Sequence, residues 1–440
     1  LGELGKACRD LGKPGAAFRM YRKALRLDAD SPWTWAHMGE VRHDRRELKE
    51  SKQALERSTT LDPSYTWAFA MMAHNALEMG ELEAAERAAR RAIELENDYA
   101  WAWSTMGEVL QEAGKTDEAE KSFLQAIRHD PRDVWTLTQL AHVELTRGRP
   151  DRALERCREA IAIDSSYPWP WGKMGEVWSY RGELDQALEC FKKALEIDPR
   201  YEWAWSHMGE AYKLRDDLAN AESTLRKAIE LSPTYGWAMV ELGEVLGLMG
   251  RYEEALAILE RATEVDAKYA AAWAELGYAH WWCGAAEKAL QCLEKSASLD
   301  GKDARTHTQL GEVYLSEQRP EEAIRSLTRA LQLDPQSAWA RAQLGEAFRL
   351  SGNPDRAREL LETAAAESPK DAWVLSALGA AYRALGDSQR AALTLSRAVE
   401  LDPDDEWAWE ELAAVYDDMK RPGKARDAQK RAREARRKKR

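Results

Sequence analysis

Apolar residues recur along this chain in two superposed rhythms. Within a stretch of about a dozen residues, large apolar and small side chains fall at steps of three, one and three, which places them on one stripe of an α-helix. Trp171, Met174, Gly175 and Trp178 form one such set. A second stripe follows, carrying a small residue such as Ala187 and a large apolar one such as Phe191. It closes at Asp198–Pro199, where proline ends the helix. The pattern predicts a pair of helices, A and B, held close where the small residues lie.

The longer rhythm is a step of 34 residues, seen from Trp33 through Trp67, Trp101, Trp135, Trp169, Trp203 and Trp237 and again from Trp339 through Trp373 to Trp407. Gly107, Gly175, Gly209 and Gly243 keep the same beat, as do Ala119, Ala153, Ala187 and Ala221 and the prolines Pro131, Pro199 and Pro233. No insertion or deletion breaks it, so the chain reads as thirteen units, the first lacking its opening residues. A lone helical hairpin cannot bury such a stripe, and the units are therefore expected to stack.

These residues resemble the tetratricopeptide repeat, with its 34-residue pattern W-x2-L-G-x2-Y…A-x3-F…P. Between Tyr167 and Tyr201 the match runs through Trp171, Met174, Gly175, Trp178, Gly182, Ala187, Phe191, Ala194 and Pro199. The resemblance spans essentially the whole chain and implies an all-α, right-handed superhelical solenoid of about 13 units with helix A on its inner wall. The expected boundaries are a single array over residues 1–433 and a basic tail over 434–440.

Many units carry two tryptophans one residue apart, as in Trp101 and Trp103 or Trp203 and Trp205. Residues two apart on a helix point about 200° apart, so the two indoles have different tasks. Numbering units so that Trp101 holds position 2, position 4 (Trp103, Trp171, Trp205) belongs to the packing stripe and is the family's core residue. Position 2 shares the other stripe with positions 5, 9 and 12, which the resemblance places on the concave groove. Trp101, Trp135, Trp169, Trp203 and Trp237 are accordingly candidate partner-binding residues. They are joined by Tyr167, Tyr201 and Tyr235 just before helix A, and by Glu108, Glu176, Glu210 and Glu244 at position 9. Position 5 is small in most units (Ala36, Ser104, Gly172, Ser206), which would leave gaps between the rings. The competing reading puts the position-2 indoles into the seam between repeats, and both hold if one edge packs and one face stays open. Arg or Lys stacking on indoles and pairing with Glu would suit a cationic or amphipathic peptide. A carboxylate clamp does not fit, because positions 5 and 9 hold small residues and Glu rather than Lys and Asn; nor does an asparagine ladder.

Composition narrows the rest. The 440 residues are 44% hydrophobic and 32% charged, with net charge −12. No apolar run is long enough to span a bilayer. The final twenty residues carry eleven Lys/Arg against two Asp/Glu, so the body is acidic and unsuited to nucleic acid, which leaves only the basic end for such a contact. Five cysteines without a C-x-x-C pair speak against a disulfide framework or zinc site and for a reducing, cytoplasmic setting. The histidines look scattered, His37 and His207 merely sharing position 6, and no catalytic motif is present, so no enzyme, cofactor or metal is expected. At the C-terminus Gln429 stands where a large apolar residue is expected, reading as a polar cap. At the N-terminus Leu4, Cys8, Leu11 and Tyr21 offer an uncapped stacking face. The chain is thus expected to be a protein-binding scaffold. The alternatives are a filament subunit stacking end to end through that face, and the docking array of a larger effector protein.

Overall fold

The computed structural model describes residues 1–438, and among these it contains 26 α-helices and no strand. A helices are typically 13 residues long and B helices 14, as in α7 (Ala100–Glu112) and α8 (Thr116–His129). Two compact units are formed, Leu1–Asp217 and Leu218–Arg440. The first ends with α13 (Glu202–Leu214) and the second begins with α14 (Leu218–Leu231). Inside each unit consecutive helices pack together, and each A helix also touches the A helix of the next repeat. The result is the expected all-α solenoid, and no helix among the described residues is long and apolar enough to cross a membrane.

The A-to-B turn is set by backbone sterics. After α7 the chain passes through Gly114 at φ 73°, the Gly114 N–H donates to the Gln111 carbonyl, and the Lys115 N–H donates to the Leu110 carbonyl at 2.8 Å. This pair of bonds satisfies carbonyls left over at the helix end. Glycine takes the left-handed conformation in nine repeats, while Arg46, Asp216, Gln318 and Lys420 are forced into it at the same register.

Helices A and B meet where position 8 faces position 24. A Cβ on Gly107 would lie 2.5 Å from Cε1 of Phe123, and one on Gly311 would lie 2.4 Å from Cγ of Leu327, so glycine is required against a large residue. In two repeats alanine takes position 8 and position 24 is small: Ala73 packs with Ala89 in one buried cluster, and Ala141 with Cys157 in another, while in the last repeat Ala413 is paired with Gln429, which turns outward. A methyl on helix A and a bulky ring or isobutyl group on helix B thus exclude one another at this contact.

The position-4 tryptophans are half-buried, and each donates its indole N–H to the loop before its own helix. Trp103 reaches the Asn97 carbonyl at 2.7 Å, Trp205 that of Pro199 at 3.0 Å and Trp409 that of Pro403 at 2.9 Å. The residue thus clamps the B-to-A turn while its ring packs in the stack.

At the C-terminus, where Gln429 suggests a polar cap, the last B helix nevertheless keeps an apolar stripe. The helix α26 (Pro422–Lys438) buries Ala425, Ala428, Ala432 and Ala435, while Gln429 faces out. Alanine alone carries the stripe, with no large apolar side chain in it. The expected tail from 434 is helical through Lys438, with Arg436 paired to Glu406 and Glu410 and Lys438 to Asp404 at 2.7 Å. Residues 439–440 of that tail lie outside the described residues. At the other end, on α1 (Gly2–Asp10) and the turn that follows it, Leu4 and Leu11 are exposed, whereas Tyr21 is fully buried.

A row of indoles on the A helices

The position-2 side chains sit in the first turn of each A helix. Six of the residues that precede these helices are tyrosines, and Tyr99 and Tyr167 make no side-chain cap bond, unlike Asp133, which accepts the backbone N–H groups of Trp135 and Thr136. A missing cap costs about 1 kcal/mol. Tyrosine is therefore present for its ring.

In the first unit those rings form a run. Trp135, on α9 (Val134–Thr146), meets Trp169, on α11 (Pro168–Tyr180), edge-on at 4.9 Å. Trp169 lies between Tyr167 and Tyr201, stacked with each at 6.5 and 5.6 Å, and Tyr201 stacks on Trp203 at 5.7 Å. Farther toward the N-terminus, Trp101 lies 6.3 Å from each of Trp67, Tyr99 and His74. In the second unit Tyr235 and Trp237 pack at 6.2 Å on α15 (Gly236–Leu248). Most of these rings are half-buried, and Trp169 is the most open of the five candidates at 40% exposure.

The gaps expected at position 5 are absent. Ala36, Ser104, Ser206 and Ala342 are completely buried, and a Cβ on Gly172 would stand 3.1 Å from both the Trp203 and the Tyr201 ring. Position 5 is small because the next repeat lays its rings over it. The indole row is thus a seam on one side and an accessible surface on the other.

The position-9 carboxylates are already engaged. Glu108 accepts the Trp135 indole N–H at 2.7 Å, and burial lifts its carboxyl to about 7, partly opposed by that bond. Glu312 does the same for Trp339 and is likewise raised by burial. Glu176 is bound by Lys173. Glu210 accepts from His207 at 3.1 Å, a bond that lowers its pKa, and Glu244 lies 3.4 Å from Arg305. Cations also sit on the rings already, Lys173 Nζ lying 5.0 Å from the centre of the Trp203 indole.

Sequence reasoning passed over the histidines. His37 lies 4.2 Å from Trp33 and 4.7 Å from Trp67 while bonding Glu40 at 2.9 Å, and His207 lies 3.9 Å from Trp203. The signal was their shared register, with Glu three residues on in both cases. Where Ala271 and Arg305 interrupt the row, Trp282 stacks on Tyr252 at 5.9 Å beside a cleft of ≈ 400 Å³ that Tyr278 and Arg305 also line.

Family models described as tetratricopeptide repeat match residues 248–313, 314–381 and 348–406, and also 98–166 and 200–268; further models of the same kind match 180–216 and 1–31. No curated protein sequence matches the chain. Among solved structures, a chain of the APC/C hetero-tetramer Cut9–Hcn1 is similar, with TM-score 0.54 and 15% identity over 93% of this chain and 95% of that one. That likeness is one of fold.

Proposed function

The chain belongs to the tetratricopeptide-repeat family, and on that premise we propose that it is a non-enzymatic protein-interaction scaffold. Its recognition surface is the open side of the position-2 row, centred on Trp169 and Trp203. The observation that carries this reading is the exposure of Trp169, a residue that stays 40% exposed although its ring lies between two stacked tyrosines. Aromatic surface of this kind is costly to leave in water and is commonly retained for binding. The partner is an extended amphipathic segment. Its apolar side chains lie along the rings, and any Arg or Lys competes with Lys173 for the face of Trp203 and for Glu176.

Synthetic peptides in which apolar residues alternate with Arg, Gln or Glu test the proposal on the full chain by fluorescence anisotropy. The Arg and Gln series should bind, the Glu series should not, and Trp169→Ala with Trp203→Ala should remove binding while far-UV circular dichroism is unchanged. Affinity that survives the double change places the partner elsewhere.

A second reading, end-on self-association, is favoured by the exposed Leu4 and Leu11 at the first helix pair. Light scattering against concentration decides it: growth that Leu4→Lys with Leu11→Lys abolishes supports stacking, and a constant monomer mass removes it.

A further inference from the structure

Two histidines that look unrelated in the sequence meet on the face shared by neighbouring A helices. His43 lies in the last turn of α3 (Pro32–Asp44), and His74 and Glu78 lie one turn apart on α5 (Thr66–Glu78). The imidazole rings are 5.1 Å apart, and one ligand atom from each of His43, His74 and Glu78 falls within 4.8 Å of the others. His43 Nε2 stands 3.4 Å from one Glu78 oxygen and His74 Nε2 stands 3.9 Å from the other. These separations exceed ordinary hydrogen bonds of about 2.7–3.2 Å. His43 Nε2 is buried and has no hydrogen-bond partner. A buried imidazole nitrogen aimed at a carboxylate without bonding it is a poor resting arrangement. It is a good one for an ion, since ligand atoms at about 2.0–2.1 Å from a tetrahedral metal stand about 3.3 Å apart, a contraction that side-chain rotation supplies.

We propose that His43, His74 and Glu78 form a binding site for a divalent transition metal of borderline softness, such as zinc or cobalt(II). Two imidazoles and one carboxylate suit these ions over calcium or magnesium, which prefer all-oxygen shells. Three protein ligands leave a coordination position for water or for a side chain of a bound partner. The ion ties α3 to α5 and so couples neighbouring repeats. Its competitor is Arg46, whose Nη1 bonds Glu78 at 2.9 Å from a side chain that is 79% exposed and free to swing away.

Cobalt(II) chloride titrated into the full chain should give saturable visible d–d bands at one ion per chain and a raised melting temperature. His74→Ala and Glu78→Gln should each weaken binding by more than about 10-fold, a loss that outer-shell changes alone can reach. Arg46→Gln should tighten it by freeing the carboxylate, an effect that scattered surface binding would not show. Should His74→Ala fail to fold, Glu78→Gln and Arg46→Gln carry the test. Cys283→Ser, which removes the exposed thiol, should change nothing. Absence of saturable bands, or bands lost with Cys283→Ser and kept in Glu78→Gln, overturns the proposal.

Discussion

The contact between positions 8 and 24 makes a sharp prediction at Gly107. Alanine there places a methyl carbon 2.5, 2.6 and 2.8 Å from three carbons of the Phe123 ring. Ordinary carbon contacts lie near 3.5–4.0 Å, so α7 and α8 must separate by about 1 Å. Overpacking of this kind costs about 1–3 kcal/mol. Exchanging glycine for alanine inside a helix returns about 1 kcal/mol through propensity, leaving a net loss of about 1 kcal/mol. Phe123→Cys alone opens a cavity and should cost about 3 kcal/mol or more. Combined, the two changes recreate the Ala141–Cys157 pairing, and the alanine then finds room and keeps only its propensity gain. The coupling between the sites is therefore about 2 kcal/mol, beyond the few tenths expected of independent positions. Denaturant unfolding fitted with a nearest-neighbour model, as befits a repeat array, gives the energies, and hydrogen exchange in α7 and α8 localises them. If Gly107→Ala costs the same in the native background as in the Phe123→Cys background, the steric account of the repeat contact is wrong.

Further outcomes follow from single positions. Gln318 is held at φ 56°, where a non-glycine residue pays about 1 kcal/mol, so Gln318→Gly should stabilise the second unit by several tenths of that in a thermal melt. The Glu108 carboxyl at about 7 is protonated in the fold at a pH where the unfolded chain has released its proton. Folded chains thus bind more protons between roughly pH 4.5 and 7, and stability falls as pH rises across that window, by at most about 1.4 kcal/mol per unit. Glu108→Gln should flatten this slope in melts from pH 5 to pH 8; an unchanged slope would mean that another group carries it. Trp205→Phe keeps most of the ring but removes the N–H held by the Pro199 carbonyl, which should cost about 1 kcal/mol and speed exchange in the loop before α13.

The architecture could be read from the chain because a strict period leaves no freedom in where helices start and stop. The division between Trp203 and Trp205 was legible for the same reason, since helical geometry separates their directions. What position 5 does was not legible. A small residue on an exposed stripe looks like a gap, and only the next repeat's Tyr201 and Trp203, lying over Gly172, show that it is a seat. The carboxylates misled in a similar way: alignment suggested an open acidic row, whereas their partners come from the neighbouring repeat, as Trp135 does for Glu108, or from one turn along the same helix, as His207 does for Glu210. The stripe of α26 was not legible because alanine at 425, 428, 432 and 435 carries too little hydrophobicity to stand out among the eight basic residues of that helix.

The interruption at Ala271 and Arg305 has a mechanical consequence. In the second unit Trp339 and Trp373 join their repeats ring to ring at 4.9 Å, a contact indifferent to salt. On α17 (Ala270–Trp282) position 2 is the exposed Ala271, and on α19 (Ala304–Ser316) the ring is replaced by a guanidinium held 2.9 Å from Glu275 and 3.4 Å from Glu244. Ion pairs at a partly exposed joint weaken as ionic strength rises. Pulled from its two ends in high salt, the second unit should part first at this joint, a fracture line placed by two substitutions in an otherwise unbroken series.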